Sequence, residues 1–143
     1  MKSRIMRYSL LLCLVLSLLF GFSACSSRQM RRYYSEQDNY INATGIVSHI
    51  AYNEGNDSLY LAFSELSPTF DDTNFKIVGD NLTIVQKNGI DEKIKIGDSV
   101  EFITAPKYFG DGYVMPIVAL SLNGETMLEF ETGYENFQKW LRA

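Results

Sequence analysis

Residues 40–66 read YINATGIVSHIAYNEGNDSLYLAFSEL, and this stretch decides the fold. In its second half Leu59, Leu61 and Phe63 alternate with Tyr60 and Ala62, a period of two that lays one apolar row along a β-strand. Before it, Asn53-Glu54-Gly55-Asn56-Asp57 is turn chemistry. The first half is apolar on both parities: Ile41, Ala43 and Val47 on one, Ile46 and Ile50 on the other, with Gly45 between. A glycine inside a strand marks a bulge or sharp coil, where the strand changes the face it buries. The spacing predicts a long strand over 40–53 and a hairpin partner over 58–66.

Toward the C-terminus, Ser67 to Asn74 reads as a loop and Phe75 to Val78 as a short third strand. Leu82, Ile84 and Val85 are strand-like residue types, yet the punctuation around them is helical. Asn81 stands at a capping position, Gly89 suits the left-handed site after a helix, and Ile90 falls where a Schellman motif returns an apolar contact to Val85. A helix over 82–88 is therefore expected. A strand over 99–105 follows, with Val100, Phe102 and Thr104 on one face. After an aromatic connection over 106–112 comes a strand over 113–122, whose Pro116 must sit where no ladder donor is needed. Asn123-Gly124 is the strongest hairpin signal in the chain, with a return strand over 125–130. Thr132-x-x-Glu135 reads as the capping box of a terminal helix that carries Tyr134, Phe137, Trp140 and Leu141 on one face.

The expected fold is mainly β. Three strands, a helix and two strands, with the glycine-broken first strand and the Gly97-Asp98-Ser99-Val100 entry to the fourth, resemble the OB-fold over about residues 40–122. That resemblance implies a small five-stranded barrel with a short helix between strands three and four. The last strand and helix are additions to it. Tyr108 to Trp140 is also similar to the ends of uncharacterised surface proteins of Gram-positive bacteria, a likeness that names no activity.

The N-terminus carries an address. Lys2, Arg4 and Arg7 precede an apolar run from Tyr8 to Phe20, interrupted by Ser9 and Ser17. As a helix that run rises about 20 Å, short of the roughly 30 Å that a stable span needs. Phe22-Ser23-Ala24-Cys25 then resembles the lipobox of bacterial lipoproteins, although Phe22 stands where that family usually has Leu. The resemblance implies removal of residues 1–24 as a signal peptide and lipidation of the Cys25 thiol. Palmitate and the accompanying acyl chains would then hold the protein to the extracytoplasmic face of the cell membrane. In an organism with two membranes, Ser26 resembles the outer-membrane sorting pattern. Cys13 would leave with the signal, so the mature chain would keep one thiol and form no internal disulfide.

Residues 25–39 are polar, aperiodic and basic (Arg28, Arg31, Arg32), and read as a flexible tether before a single domain over 40–143. Loss of Lys2, Arg4 and Arg7, with no acidic residue lost, would move the net charge from −4 to −7. The domain itself carries seven basic residues against fifteen acidic ones. Such a surface repels a phosphate backbone, so nucleic acid is excluded as a partner.

No catalytic set stands out. His49 is the sole histidine, and no nucleophile elbow, phosphate loop or Cys–His pair is present. No cofactor or metal is assigned. Asp71, Asp72 and Asn74, like Asn53, Asn56 and Asp57, lack the calcium-loop spacing. Aromatic residues are the better lead: Tyr52, Tyr60, Tyr108, Phe109 and Tyr113 fall on or beside the 53–57 and 106–112 loops. In OB-folds those two loops rim the ligand face, so these five are the candidate ligand-binding residues. The expected function is a non-enzymatic, lipid-anchored binding or assembly module that engages an envelope protein or cell-wall glycan. The alternatives are an envelope-polymer hydrolase using paired carboxylates, such as Glu65 with Asp71, and a purely structural part of an envelope complex.

Overall fold

Gly45 lies at a close approach of two neighbouring strands. It belongs to β1 (Ile41–Tyr52), and a Cβ there would sit 2.8 Å from the Cβ of Phe63 on β2 (Ser58–Ser67). The β1–β2 register shifts twice, between Thr44 and Ile46 and between Val47 and His49. Ala43 and Val47 point into the core before the second shift, and Ile50 packs against that core after it. The strand thus changes its buried parity as expected, but at the Val47–His49 irregularity and not at the glycine.

The computed structural model describes residues 8–9, 11–13, 27–53, 55, 57–109 and 113–143. The expectations for Cys25 and the cleavage site lie outside the described residues. The chain divides into two compact units, Met1–Tyr33 and Tyr34–Ala143. In the first, residues 27–33 are helical, and Arg31 Nε donates to the Ser27 carbonyl at 3.4 Å. Among the described residues no helix is long and apolar enough to cross a membrane.

The second unit holds β1, β2, β3 (Asn74–Val78), α1 (Asp80–Lys87), α2 (Ile90–Lys93), β4 (Ser99–Thr104), β5 (Met115–Leu122), β6 (Glu125–Leu128) and α3 (Phe130–Arg142). The six strands form one sheet in the order β3-β2-β1-β4-β5-β6. All neighbours in that order are antiparallel. A short parallel seam, Phe75 to Met115 and Lys76 to Pro116, joins β3 to β5 and closes a ring of hydrogen bonds through five strands. Inside the ring Phe63 stacks on Phe102 with centroids 4.7 Å apart, and Phe75 meets Phe102 edge-on at 4.8 Å. Leu59, Leu61, Ile77, Val100, Ile117 and Leu120 complete the core, to which the helices add Leu82, Val85 and Ile90. Each such side chain, fully buried, contributes about 2 kcal/mol.

The 82–88 segment is helical, beginning at Asp80, and its C-terminus follows the expected chemistry. Gly89 takes φ 85° and its N–H donates to the Gln86 carbonyl at 3.0 Å. The N-terminus does not. Gly79, at φ 59°, holds the cap position without a side-chain bond, and Asn81 is buried inside the first turn. Its Nδ2 donates to the Gly133 carbonyl at 2.9 Å, and its Oδ1 accepts from Asn136 Nδ2 at 3.1 Å. A side chain that could cap its own helix instead ties that helix to α3.

α3 starts at Phe130, two residues before the expected capping box, and Glu129 at its N-cap makes no side-chain bond. β6 correspondingly ends at Leu128. The Phe130 ring meets Tyr40 edge-on at 5.8 Å. The Asn123-Gly124 hairpin is as expected, with φ 49° and 85° as a type I′ turn requires.

The compact unit also begins six residues before the expected boundary at 40. Tyr34 is fully buried, and its hydroxyl donates to the Lys107 carbonyl at 2.6 Å. Its ring meets Phe137 at 5.2 Å and Phe109 at 6.3 Å, both edge-on. Phe109 in turn meets Phe137 at 5.3 Å and Trp140 at 5.5 Å. These four rings make a second apolar cluster, under α3.

Candidate functional site

The five aromatic candidates do not form one surface. Tyr52, at the end of β1, donates its hydroxyl to the Asp91 carboxylate on α2. The adjoining turn is closed on itself by Asn53 Nδ2, which donates to Asp57 Oδ1 at 2.7 Å. Tyr60 is half-buried and pairs across strands with Lys76. The Lys76 ammonium lies 5.4 Å from the Tyr60 ring centroid and 5.5 Å from that of Phe109. Phe109 is 1% exposed, which removes it from any ligand surface and makes it a member of the cluster under α3. Sequence placed it in an open loop; the aromatic face of α3 draws it in.

Tyr108 and Tyr113 do meet at the surface. Their centroids are 5.4 Å apart and their planes lie at 84°, and Tyr113 is 73% exposed. Desolvation, with the Asp72 and Asp71 carboxylates and the Tyr113 phenol, raises the Tyr108 phenol above its ordinary value of 10.0.

A hollow lies elsewhere, on the outer face of β1, β4, β5 and β6. It is an open groove of about 500 Å³. The register builds its floor: Thr44 pairs with Glu101, Glu101 with Ser121, and Ser121 with Thr126. A second row runs Asn42, Ile103, Ala119. Alternation sends all of these outward, because Val100, Phe102, Leu120 and Leu122 fill the inward positions. Glu129 and Phe130, at the start of α3, also line it. The Glu101 and Glu129 carboxylates have no hydrogen-bond or ion-pair partner among the described residues. A smaller hollow of about 240 Å³ shares Thr126, Leu128 and Glu129 with this groove. It adjoins β6, where Asn88 Nδ2 donates to the Met127 carbonyl at 2.7 Å.

Sequence reasoning missed this groove. Its signal was Ala119 and Ser121, two small residues on the outward parity of an otherwise bulky strand, beside Glu101. Comparison with known proteins finds no matching family model, no similar curated protein and no similar solved structure. The groove must therefore be read from its own chemistry. Unpaired carboxylates accept N–H and O–H donors, hydroxyls and the Asn42 amide do either, and Phe130 with Ile103 adds apolar contact. That mixture suits a polar or cationic ligand. His49 is exposed on β1, and Glu65 and Asp71 are exposed outside the groove. Among the described residues no three His, Cys, Asp or Glu side chains are grouped to share a metal ion.

Proposed function

We propose that this chain is a lipid-anchored, extracytoplasmic binding module built on an OB-like barrel. The anchor rests on the Phe22-Ser23-Ala24-Cys25 motif behind its basic and apolar segments. Parallel closure of β3 on β5, with α1 between β3 and β4, supports the OB-like reading. The observation that carries the binding role is the open groove of about 500 Å³, with one unpaired carboxylate on its polar sheet face and a second at the start of α3. A carboxylate left in a hollow gains most when a ligand brings it a donor. The ligand is an envelope protein or a cell-wall glycan.

Two measurements test this. Metabolic labelling with a palmitate analogue should mark the chain and be lost in Cys25→Ala; unchanged labelling would remove the anchor. Purified protein should bind isolated envelope material, and Ser121→Trp, which fills the groove, should abolish that binding. Retained binding would remove the groove.

The hydrolase reading has one observation in its favour, the presence of Glu101 and Glu129 along the same groove. It predicts release of new reducing ends from cell-wall glycan, stopped by Glu101→Gln or Glu129→Gln. Absence of release alongside retained binding would leave the binding module alone.

A further inference from the structure

The Tyr108–Tyr113 corner shares no residue with the groove, and its chemistry points to a different ligand. We propose that Tyr108, Tyr113, Asp71 and Asp72 form a surface site for methylated organic ammonium groups. The two rings meet at 84° with centroids 5.4 Å apart, so they offer two walls at a right angle. The face of each ring carries negative electrostatic potential, and a cation held over it within about 6 Å of the centroid is attracted. Tyr113 is 73% exposed, so the fold leaves its ring open to a ligand.

The carboxylates are held beside this corner by the loop that carries them. Phe70 anchors that loop by meeting Phe75 edge-on at 5.5 Å, and both Phe70 and Tyr108 pack against the main core. The Phe63 N–H donates to the Thr73 carbonyl at 3.2 Å, which fixes the other end. Asp72 Oδ1 accepts from the Thr73 N–H at 2.7 Å and from Asn74 Nδ2 at 3.0 Å. Asp71 is exposed and has no hydrogen-bond or ion-pair partner among the described residues. Both charges reach the Tyr108 phenol, as its raised pKa reflects. Lys76 does not fill the corner from within, because its ammonium sits over Tyr60 and Phe109.

Two ring faces and two carboxylates favour a diffuse cation with methyl groups over a neutral molecule of the same shape. Rings hold the methyls, and the carboxylates balance the charge without needing an N–H donor. This site does not rest on the groove and is tested apart from it.

The test uses the full chain in a maltoside detergent and measures saturation transfer from protein to the methyl protons of tetramethylammonium chloride. tert-Butyl alcohol is the neutral control. The site predicts saturable transfer to tetramethylammonium and none to the alcohol. Tyr113→Ala and Asp71→Asn should each weaken binding about fivefold, whereas Tyr113→Phe, which keeps the ring face, should retain it. Ser121→Trp, in the groove, should leave it unchanged. Equal transfer to the alcohol, or undiminished binding by Tyr113→Ala, would overturn the proposal. The exposure of Tyr113 makes its variants safe for folding, which circular dichroism checks.

Discussion

A Cβ added to Gly133 would lie 1.7 Å from the carbonyl oxygen of Val118. α3 therefore reaches β5 only because residue 133 has no side chain. Val118 is itself the extra residue of a bulge, since Ile103 pairs with Ala119 while Thr104 pairs with Ile117. The bulge turns that peptide toward the helix. In an exposed helix, Gly→Ala stabilises by about 1 kcal/mol. Here Gly133→Ala should instead destabilise by about 3 kcal/mol, because backbone cannot yield as a flexible side chain does. Thermal melts check this; an unchanged or higher midpoint would contradict the contact.

Asn81 couples α1 to α3 through polar groups. Asn81→Ala leaves the Gly133 carbonyl without its side-chain donor and the Asn136 amide without its acceptor. The expected cost is about 2 kcal/mol by urea denaturation. Asn136→Ala should cost less, and the double variant should fall short of the sum because the two share one bond.

Tyr34 tests where the folded unit begins. A chain starting at residue 40 loses a fully buried ring and its bond to the Lys107 carbonyl, and uncovers part of Phe109 and Phe137. Its stability should fall below that of a chain starting at residue 34 by about 4 kcal/mol, with Tyr34→Ala reproducing most of the loss. Equal stability of the two chains would put the boundary back at 40.

Tyr108 should titrate late. Its phenol is raised by desolvation first, then by Asp72, Asp71 and Tyr113. A raised pKa means that the folded chain keeps this proton longer than the unfolded one. The stability linked to it is whole below the unfolded value near 10.0 and is lost as pH rises through the folded value. Tyrosinate absorbance should show a late component that disappears in Tyr108→Phe and moves to lower pH in Asp72→Asn. Tyr33, raised by burial, remains late in both. A curve unmoved by either change would contradict the arrangement.

Local chemistry made most of the fold legible. The alternation of Leu59, Leu61 and Phe63, the Asn123-Gly124 turn and the left-handed Gly89 are decided within a few residues. What stayed hidden depends on distant partners. Asn81 has the right chemistry for a cap, and only the position of Gly133, 52 residues away, gives its amide a better use. Tyr34 reads as tether because its neighbours are polar, while its partners Phe137 and Gln138 come at the far end of the chain. The binding candidates divided for the same reason. Tyr108 and Tyr113 meet at the surface, but Phe109 between them in sequence packs into the cluster under α3. The groove was hidden because its floor comes from four strands, each contributing one or two ordinary residues.

The most direct test of the binding role is photo-crosslinking in living cells from a reactive side chain placed at Ser121, on the groove floor. Ser64, exposed on β2, serves as the control position. One dominant crosslinked envelope species should appear from position 121, absent from position 64 and lost when Glu101→Lys reverses the groove's charge. Crosslinks of the same kind from both positions, or none from 121, would contradict it.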